Sequence, residues 1–378
     1  MRILHSGSLN IESGGPALST YLTIRGLRQC GDEVEMVTTP LSEGEQLIAE
    51  DVSMHDTAPV CIERLGYMPG LKRLLHQLPT YDVYHIQGLW QYLGHGVAQY
   101  ARSVNRPYII TLRGMLYPQA LAHSTLVKKI SLALYQSHDL KCASCIQATC
   151  TEELVHYRNL GYRNPVAVLP NPIDINGIVN RPIPLKEVFR IGYLGRLHPR
   201  KRIERLIYAF ADLREQLADA QLVIIGGGDE TYEEFLRSEV SRLDVRNVIF
   251  TGFVSGKEKD DAIMSLSLLV VPSDFENFGN VVSEALVRGV PVIASTGTPW
   301  QVLAEYECGW WVANDQDTIN NTILEAISIS HDMRFKMGIN GKRLMRERFS
   351  VESIGEKMAE LYLWLAGEAP RPEFVHVD

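Results

Sequence analysis

Short apolar runs and one-sided apolar stripes take turns along this chain. In the first half the runs Arg2–His5, Val34–Thr38, Val83–Ile86, Tyr108–Thr111, Cys145–Ala148 and Val166–Leu169 have the length and branching of buried strands. Between them, Ala17–Cys30, Pro69–Gln77, Trp90–Ser103, Ser124–His138 and Thr151–Asn159 carry helical spacing. Such alternation predicts a parallel sheet covered on both faces. The pattern breaks near Pro170-Asn171-Pro172, and Gly177 to Pro184 reads as a linker. It restarts with strands at Arg190–Leu194, Gln221–Ile225, Asn247–Thr251, Leu268–Val271, Val290–Ala294 and Trp310–Ala313. The helix after the first of these has Ile203, Leu206, Ile207 and Phe210 on one face. Helices over Asp332–Glu347 and Val351–Ala366 close the chain, the second N-capped by Ser350, and the tail after Gly367 reads as loose. The expected organisation is α/β with two similar units: 1–172, a linker over 173–188, 189–349, and a final helix with tail over 350–378.

One stretch stands out. Leu268 to Val271 is a strand stopped by Pro272, and Ser273 to Gly279 is a loop carrying Glu276. From Asn280 a helix begins, with Glu284 about one turn in. Two carboxylates thus lie at the C-terminal end of a parallel strand, where open sheets bind ligands. The helix start adds free N–H groups suited to a phosphate.

Composition narrows the field. The chain has 378 residues, 46% of them hydrophobic, enough for two cores. A net charge of −8 argues against nucleic acid as a partner. No run of 18 apolar residues marks a membrane span, and the N-terminus reads as a strand. Six cysteines do not make a disulfide scaffold in a chain of this size, so a cytoplasmic protein is expected. Cys142 and Cys145 have metal-ligand spacing, with Cys150 near, but no second pair exists and they read as small core residues.

Glycines punctuate strand ends. Gly14-Gly15-Pro16 precedes a helix, and Gly226-Gly227-Gly228 lies between a strand and a helix; each fits close backbone approach to a ligand or a plain turn. Neither is the dinucleotide fingerprint. Gly195 to Lys201 places Arg196 and Lys201 around a helix start that is already positive, which is unfavourable unless an anion visits. Cations, a glycine loop and two carboxylates at the strand ends of one half together describe a nucleotide-sugar site.

With these residues assembled, the chain resembles the retaining, two-Rossmann (GT-B) nucleotide-sugar glycosyltransferases of group 1, over nearly its whole length. The resemblance rests on Gly14-Gly15-Pro16, Pro170 to Asp174, Gly195-Arg196 with Lys201, Gly226 to Gly228, Thr251 to Val254, and Pro272 to Glu284. Thr111 to Leu116, with Lys128 and Lys129, is similar to a subgroup found in polysaccharide assembly. The resemblance implies two Rossmann-like domains facing across a cleft, the final helix crossing back to the first. It implies transfer from a nucleotide-diphospho-sugar to a glycan or lipid-linked acceptor with retention, in cell-surface polysaccharide synthesis, with no metal and no cofactor. Arg196 and Lys201 would neutralise the diphosphate, and Glu284 would hold the ribose. Glu276 and the backbone of Asn277, Phe278 and Gly279, up to Asn280, would hold the sugar. Phe253 and Val254 would border the base, with Gly195 and Gly227 beside the nucleotide and Gly15 near the diphosphate.

One departure matters. Many relatives carry histidine where this chain has Arg113. Arginine is no base, so the expected role is to stabilise a developing anion or to grip an acidic sugar or acceptor; His85, His95 and His123 are not obvious replacements. Other readings also stand: a glycosidase using the two glutamates, a nucleotide-sugar epimerase on the same plan, and a non-catalytic sugar-nucleotide-binding subunit. Leu126, Val127, Ile130 and Leu134 near Lys128 and Lys129 fit an ordinary packed helix, or peripheral contact with the inner face of a membrane.

Overall fold

The structure, a computed structural model, describes residues 1–11, 14–41, 46–48, 50–57, 60–61, 66–122, 125–184 and 187–377, with the backbone alone at 125–127. Two compact units emerge: Met1–Asp174 with Phe349–Asp378, and Ile175–Arg348.

In the first unit β1 (Arg2–Ser6), β2 (Glu33–Val37), β3 (Ser53–His55), β4 (Val83–Gln87), β5 (Tyr108–Thr111), β6 (Cys145–Ala148) and β7 (Val166–Val168) pair in parallel. Their spatial order is β7-β6-β5-β4-β1-β2-β3. The inner strands are apolar runs because both faces are covered. The chain leaves β1 on one side and returns to β4 on the other, so the order reverses between them. In the second unit β8 (Arg190–Leu194), β9 (Gln221–Ile225), β10 (Val248–Gly252), β11 (Leu268–Val271), β12 (Val292–Ser295) and β13 (Gly309–Val312) form a parallel sheet in the order β10-β9-β8-β11-β12-β13. Here the reversal lies between β8 and β11. All the expected strands are present, within a residue or two of their expected ends.

Several expectations need correction. The tail is not loose: Val375–His376 pairs antiparallel with β7, and Val375 is buried. β3 was not expected, because Ser53-Met54-His55 has no apolar period; it is an edge strand recruited by β2. The helix expected over Ser124–His138 is, in its described part, Thr125–Ser131, a π-turn at Leu132–Gln136, and Ser137–Cys142. The π-turn carries Gln136, whose buried side chain accepts from the Trp90 N–H at 2.9 Å. Cys142 is exposed, not core, whereas Cys145 and Cys150 are buried. Among the described residues no three His, Cys, Asp or Glu cluster as metal ligands, and no helix is long and apolar enough to cross a membrane. His123 lies outside the described residues, as do the side chains of Leu126 and Val127.

The final helix, Val351–Leu365, packs on Gly15–Gln29 inside the first unit. Gly26 and Gly355 face each other there: a Cβ on Gly26 would meet the Val351 carbonyl at 2.5 Å, and one on Gly355 the Gly26 carbonyl carbon at 2.6 Å. The same helix brings Tyr362 into the core, where it joins a directed chain of hydrogen bonds. Arg113 donates to Gln87 Oε1 (2.6 Å), and the Gln87 amide donates to His5 Nδ1 (3.2 Å). His5 Nε2 then faces the Tyr362 hydroxyl (3.3 Å), which faces His85 Nδ1 (2.5 Å). His85 Nε2 reaches Thr111 Oγ1 (2.7 Å), Thr111 donates to Gln147 Oε1 (2.8 Å), and Gln147 ends the chain on the Leu169 carbonyl (3.2 Å). Arginine can only donate and a carbonyl can only accept, so every link has one direction and both imidazoles are neutral, protonated on Nε2.

Burial, with the Arg113 charge behind it, holds His5 down to about 3; burial, the neighbouring His5 and Arg113 hold His85 well below its usual value. Unfolded histidines titrate near 6.5, so between there and about pH 3 the unfolded chain binds the extra protons. Stability is therefore complete above about pH 6.5 and falls as the pH drops below it. Urea unfolding of the first unit should lose about 1.4 kcal/mol per pH unit for each histidine below that point. His5→Gln should show about half the wild-type slope; an unchanged slope would refute the neutral chain.

Candidate functional site

The sequence-expected site residues of the second unit gather at the C-terminal ends of its strands. After β8 the chain runs through Gly195 and Arg196 into a turn, Pro199–Lys201, whose start is capped by His198 Nδ1 accepting from Arg200 N (3.2 Å). After β9 come Gly226 to Gly228 and then Asp229, which caps the Glu230–Arg242 helix by accepting from Tyr232 N at 3.0 Å. That aspartate therefore serves its own helix. The two loops interlock: Gly195 N donates to Ile225 O (2.9 Å), Leu197 N to Gly227 O (3.1 Å) and Asp229 N to Leu197 O (3.0 Å). Gly226 has φ 136 and lies so near the Gly195 carbonyl that any Cβ would overlap it. The glycine run is thus needed for loop-on-loop packing, whatever else it contacts.

β11 adjoins β8 at the reversal point, so their loops are neighbours. Asp274 N donates to Arg200 O (2.9 Å), and Arg202 Nε donates to Asp274 Oδ2 (2.6 Å). At the centre Lys201 and Glu276 form an ion pair, with side chains 13% and 11% exposed. Glu276 Oε1 also accepts from Ser273 Oγ at 2.9 Å. Glu284, half-buried on the Asn280–Val287 helix, pairs with Lys259 at 2.8 Å. Arg196 is exposed, and among the described residues no acid pairs with it. Phe253, at the end of β10, is 82% exposed, with Val254 half-buried beside it. Phe278, by contrast, is buried against Trp300 at 5.2 Å between rings, and Trp300 Nε1 donates to its carbonyl (2.6 Å). Its side chain belongs to the core. Gly279 has φ 78 at the helix start, a conformation that favours glycine.

In the first unit Gly15 and Pro16 open the Gly15–Gln29 helix. Arg113 leaves β5 with φ 52 and is half-buried. Its guanidinium donates to Ser19 Oγ (2.6 Å) and Thr20 Oγ1 (2.8 Å) on that helix, besides Gln87. Burial lowers it to about 10, so it stays charged near neutral pH. His95 is bound to Asp139 at 2.8 Å, a structural partner.

Two family models match the chain: "Glycosyl transferases group 1" over residues 180–344 and "Glycosyl transferase 4-like domain" over residues 14–172. The chain belongs to the group 1 glycosyltransferases. It is 33% identical over 177 residues to an uncharacterised glycosyltransferase of Methanocaldococcus jannaschii, covering 46% of this chain and 44% of the relative. It is 32% identical over 164 residues to a GDP-mannose-dependent alpha-mannosyltransferase of Mycolicibacterium smegmatis, covering 42% and 39%. These matches span less than half of either relative. The fold of this glycosyltransferase is similar to that of Anabaena HepE in complex with UDP and glucose, with TM-score 0.69 at 20% identity over 95% of this chain and 98% of that one. The fold is thus GT-B, two parallel-sheet α/β units in one chain.

Sequence reasoning named Lys201 and Glu276 separately; folding makes them partners. It missed Lys259, Asp274 and Arg202 in the second unit, and Ser19, Thr20 and Gln87 around Arg113. Asp274 lies inside the Pro272 to Glu284 segment, but no motif marks the others, because strand order brings them to the site. Removing one member of a mostly buried pair leaves the other uncompensated, at about 3–5 kcal/mol. Lys201→Ala should therefore cost this chain about 3 kcal/mol in urea unfolding, and Lys201→Ala with Glu276→Gln should cost less than Lys201→Ala alone. Additive losses would show that the pair carries no coupling.

Proposed function

We propose that this glycosyltransferase moves a sugar from a nucleoside-diphospho-sugar to a glycan or lipid-linked acceptor, with retention of anomeric configuration, in the assembly of cell-surface polysaccharide. The carrying observation is Arg196, an exposed cation with no acidic partner among the described residues, on the same loop after β8 that carries Lys201 of the Lys201–Glu276 pair. A diphosphate would supply the missing anion. The difficult step is its departure from the anomeric carbon, and fixed positive charge aimed at the leaving oxygens lowers that barrier. Arg196 and Lys201 fill this role, and a leaving phosphate oxygen takes the proton of the incoming hydroxyl. Glu276 positions Lys201 and accepts sugar hydroxyls; Glu284 accepts from the ribose. Phe253 offers an open face on which a base stacks, bordered by Val254. The backbone at Gly195, Gly227 and Asn277 to Asn280 lines the donor. Arg113 acts on the transferred group or its acceptor. Side-chain cations serve the diphosphate, so no metal or cofactor is required.

A glycosidase needs one protonated carboxyl and a free nucleophile. Glu276 and Glu284 each lie in an ion pair with a lysine, Lys201 and Lys259. Their pairing favours a donor clamp over acid catalysis.

The first test is a thermal-shift panel of nucleotides and nucleotide-sugars that includes GDP-mannose and UDP-glucose. A ligand at 100 times its Kd stabilises by about 2.7 kcal/mol. Phe253→Ala should leave the unliganded midpoint unchanged and weaken nucleotide binding by about 1–3 kcal/mol, the usual worth of a base–aromatic stack. Lys201→Ala, assayed where it remains folded, should lose about 2–4 kcal/mol of transition-state stabilisation; kcat/KM within a few-fold of wild type would sink the assignment. EDTA should leave the rate unchanged. Conversion of donor to an epimer without acceptor would instead identify an isomerase, and nucleotide binding with neither transfer nor hydrolysis a binding subunit.

The protein works in the cytoplasm and touches the inner face of a membrane through the segment after Pro118. Ile130 and Leu134 are 50% and 76% exposed there. Lys129 is exposed beside them, while Lys128 donates to the Ala120 carbonyl. Lys129→Glu with Leu134→Ser should reduce sedimentation with anionic liposomes; equal sedimentation would remove the membrane contact.

A further inference from the structure

Two helices of the second unit are fastened to each other twice, and the two fastenings differ. The Gly256–Ser265 helix follows the loop that carries Phe253 and Val254, and the Asn280–Val287 helix carries Glu284. Arg288 makes the first fastening, with a side chain 8% exposed. Its Nη2 donates to Asp260 Oδ1 and its Nη1 to the Glu284 carbonyl at 2.8 Å. Arg181 supports the other oxygen of Asp260 at 3.2 Å.

Lys259 and Glu284 make the second. The ammonium lies 2.8 Å from Glu284 Oε2, yet off the line of a hydrogen bond: that oxygen is buried and accepts none among the described residues. Glu284 Oε1 and the N–H groups of Lys259 have no other partner there either. The pair is thus held by charge, and its hydrogen-bonding capacity is unspent. Its members are 33% and 22% exposed, and an ion pair that open to water adds little to stability. A cation so near the start of a helix also opposes the dipole. Since Arg288 already ties the two helices, Lys259 is not needed to hold them.

The ligand chemistry follows from what each member can do. An ammonium only donates and a carboxylate only accepts. A hydroxyl does both, so two adjacent hydroxyls can take a hydrogen bond from the lysine and give one to the glutamate. A phosphate only accepts, and Glu284 would repel it. Both helices start at the C-terminal edge of the sheet, where ligands of open sheets bind.

We propose that Lys259 reads the ribose of the donor directly, donating to one hydroxyl of its vicinal diol while Glu284 accepts from the other. The inference rests on the proposed donor site with Glu284 at the ribose. It adds a specificity-determining residue that sets the preference for ribonucleotide over deoxyribonucleotide.

The experiment is calorimetric titration of the full chain with UDP and GDP and with the 2′-deoxy and 3′-deoxy forms of each. The wild type should bind the better ribonucleotide about tenfold more tightly than either of its deoxy forms, the usual worth of a hydrogen bond to a charged group. Lys259→Met should remove the preference over one deoxy form and leave the other standing, and Lys259→Arg should keep part of both. Lys257→Met takes the same charge from an exposed position that pairs with Asp261, and should change neither. A thermal unfolding midpoint for each variant confirms a folded chain. Both preferences intact in Lys259→Met would refute the proposal. Both falling together would reduce Lys259 to a holder of Glu284 and refute the direct contact. A changed ratio of UDP to GDP affinity with both preferences intact would put the lysine at the base, and refute it too. Glu284→Ala separates the two readings: if it abolishes the preferences and Lys259→Met does not, the ribose role of Glu284 stands and that of Lys259 falls. A wild type that binds nucleotide without regard to either hydroxyl overturns both roles, and one that binds neither UDP nor GDP overturns the donor site with them.

Discussion

Every strand of the second sheet points the same way, and this constraint decides where its chemistry lies. A parallel sheet delivers each loop that follows a strand to one edge. At the reversal between β8 and β11 two such loops become neighbours with no crossover helix between them. Asp274 N can then bond Arg200 O, Arg202 can hold Asp274, and Lys201 can pair with Glu276. On the other side the β8 and β9 loops interlock through backbone alone, which requires Gly226 to lie against the Gly195 carbonyl. A side chain at Gly226 would part these loops and with them the turn that carries Lys201.

The two units treat buried charge differently. The second compensates its carboxylates with lysines, Glu276 with Lys201 and Glu284 with Lys259, and leaves Arg196 open to solvent. Opposed charges at close range hold the loops in place. The first unit instead hydrogen-bonds one arginine to neutral groups, with buried Glu153 acting on it through space, and carries its hydrogen-bond polarity inward through Gln87, His5, Tyr362, His85, Thr111 and Gln147. Tyr362 closes that chain from the final helix, so the end of the polypeptide completes the core of its beginning. Gly26 and Gly355 permit the approach.

The resemblance to a GT-B transferase with a crossing final helix is carried by short motifs, and the fold agrees with it. Motifs served less well where a residue's type suited two roles. Phe278 was expected to act through its backbone, and its side chain is free to pack on Trp300, while Phe253 stands exposed. Asp229, directly after the glycine run, caps the helix that follows.

Periodicity alone was enough for the inner strands and most helices, because an apolar run between two covered faces has one stable fate. It was also enough to put Arg196, Lys201, Glu276 and Glu284 near strand ends. Where burial does not impose a pattern, the chain was silent: the β3 edge and the Val375–His376 strand exist because a neighbour offers free backbone groups, not because of their own composition. Pairing was likewise out of reach. Glu276 meets Lys201 and Glu284 meets Lys259 across 75 and 25 positions, and Arg113 meets Ser19 and Thr20 across more than 90. Such meetings depend on strand order, which local sequence does not encode. Arg113 shows the division most plainly: its identity in the chain announced a departure from a histidine, but only the tertiary structure showed that every group holding it is neutral.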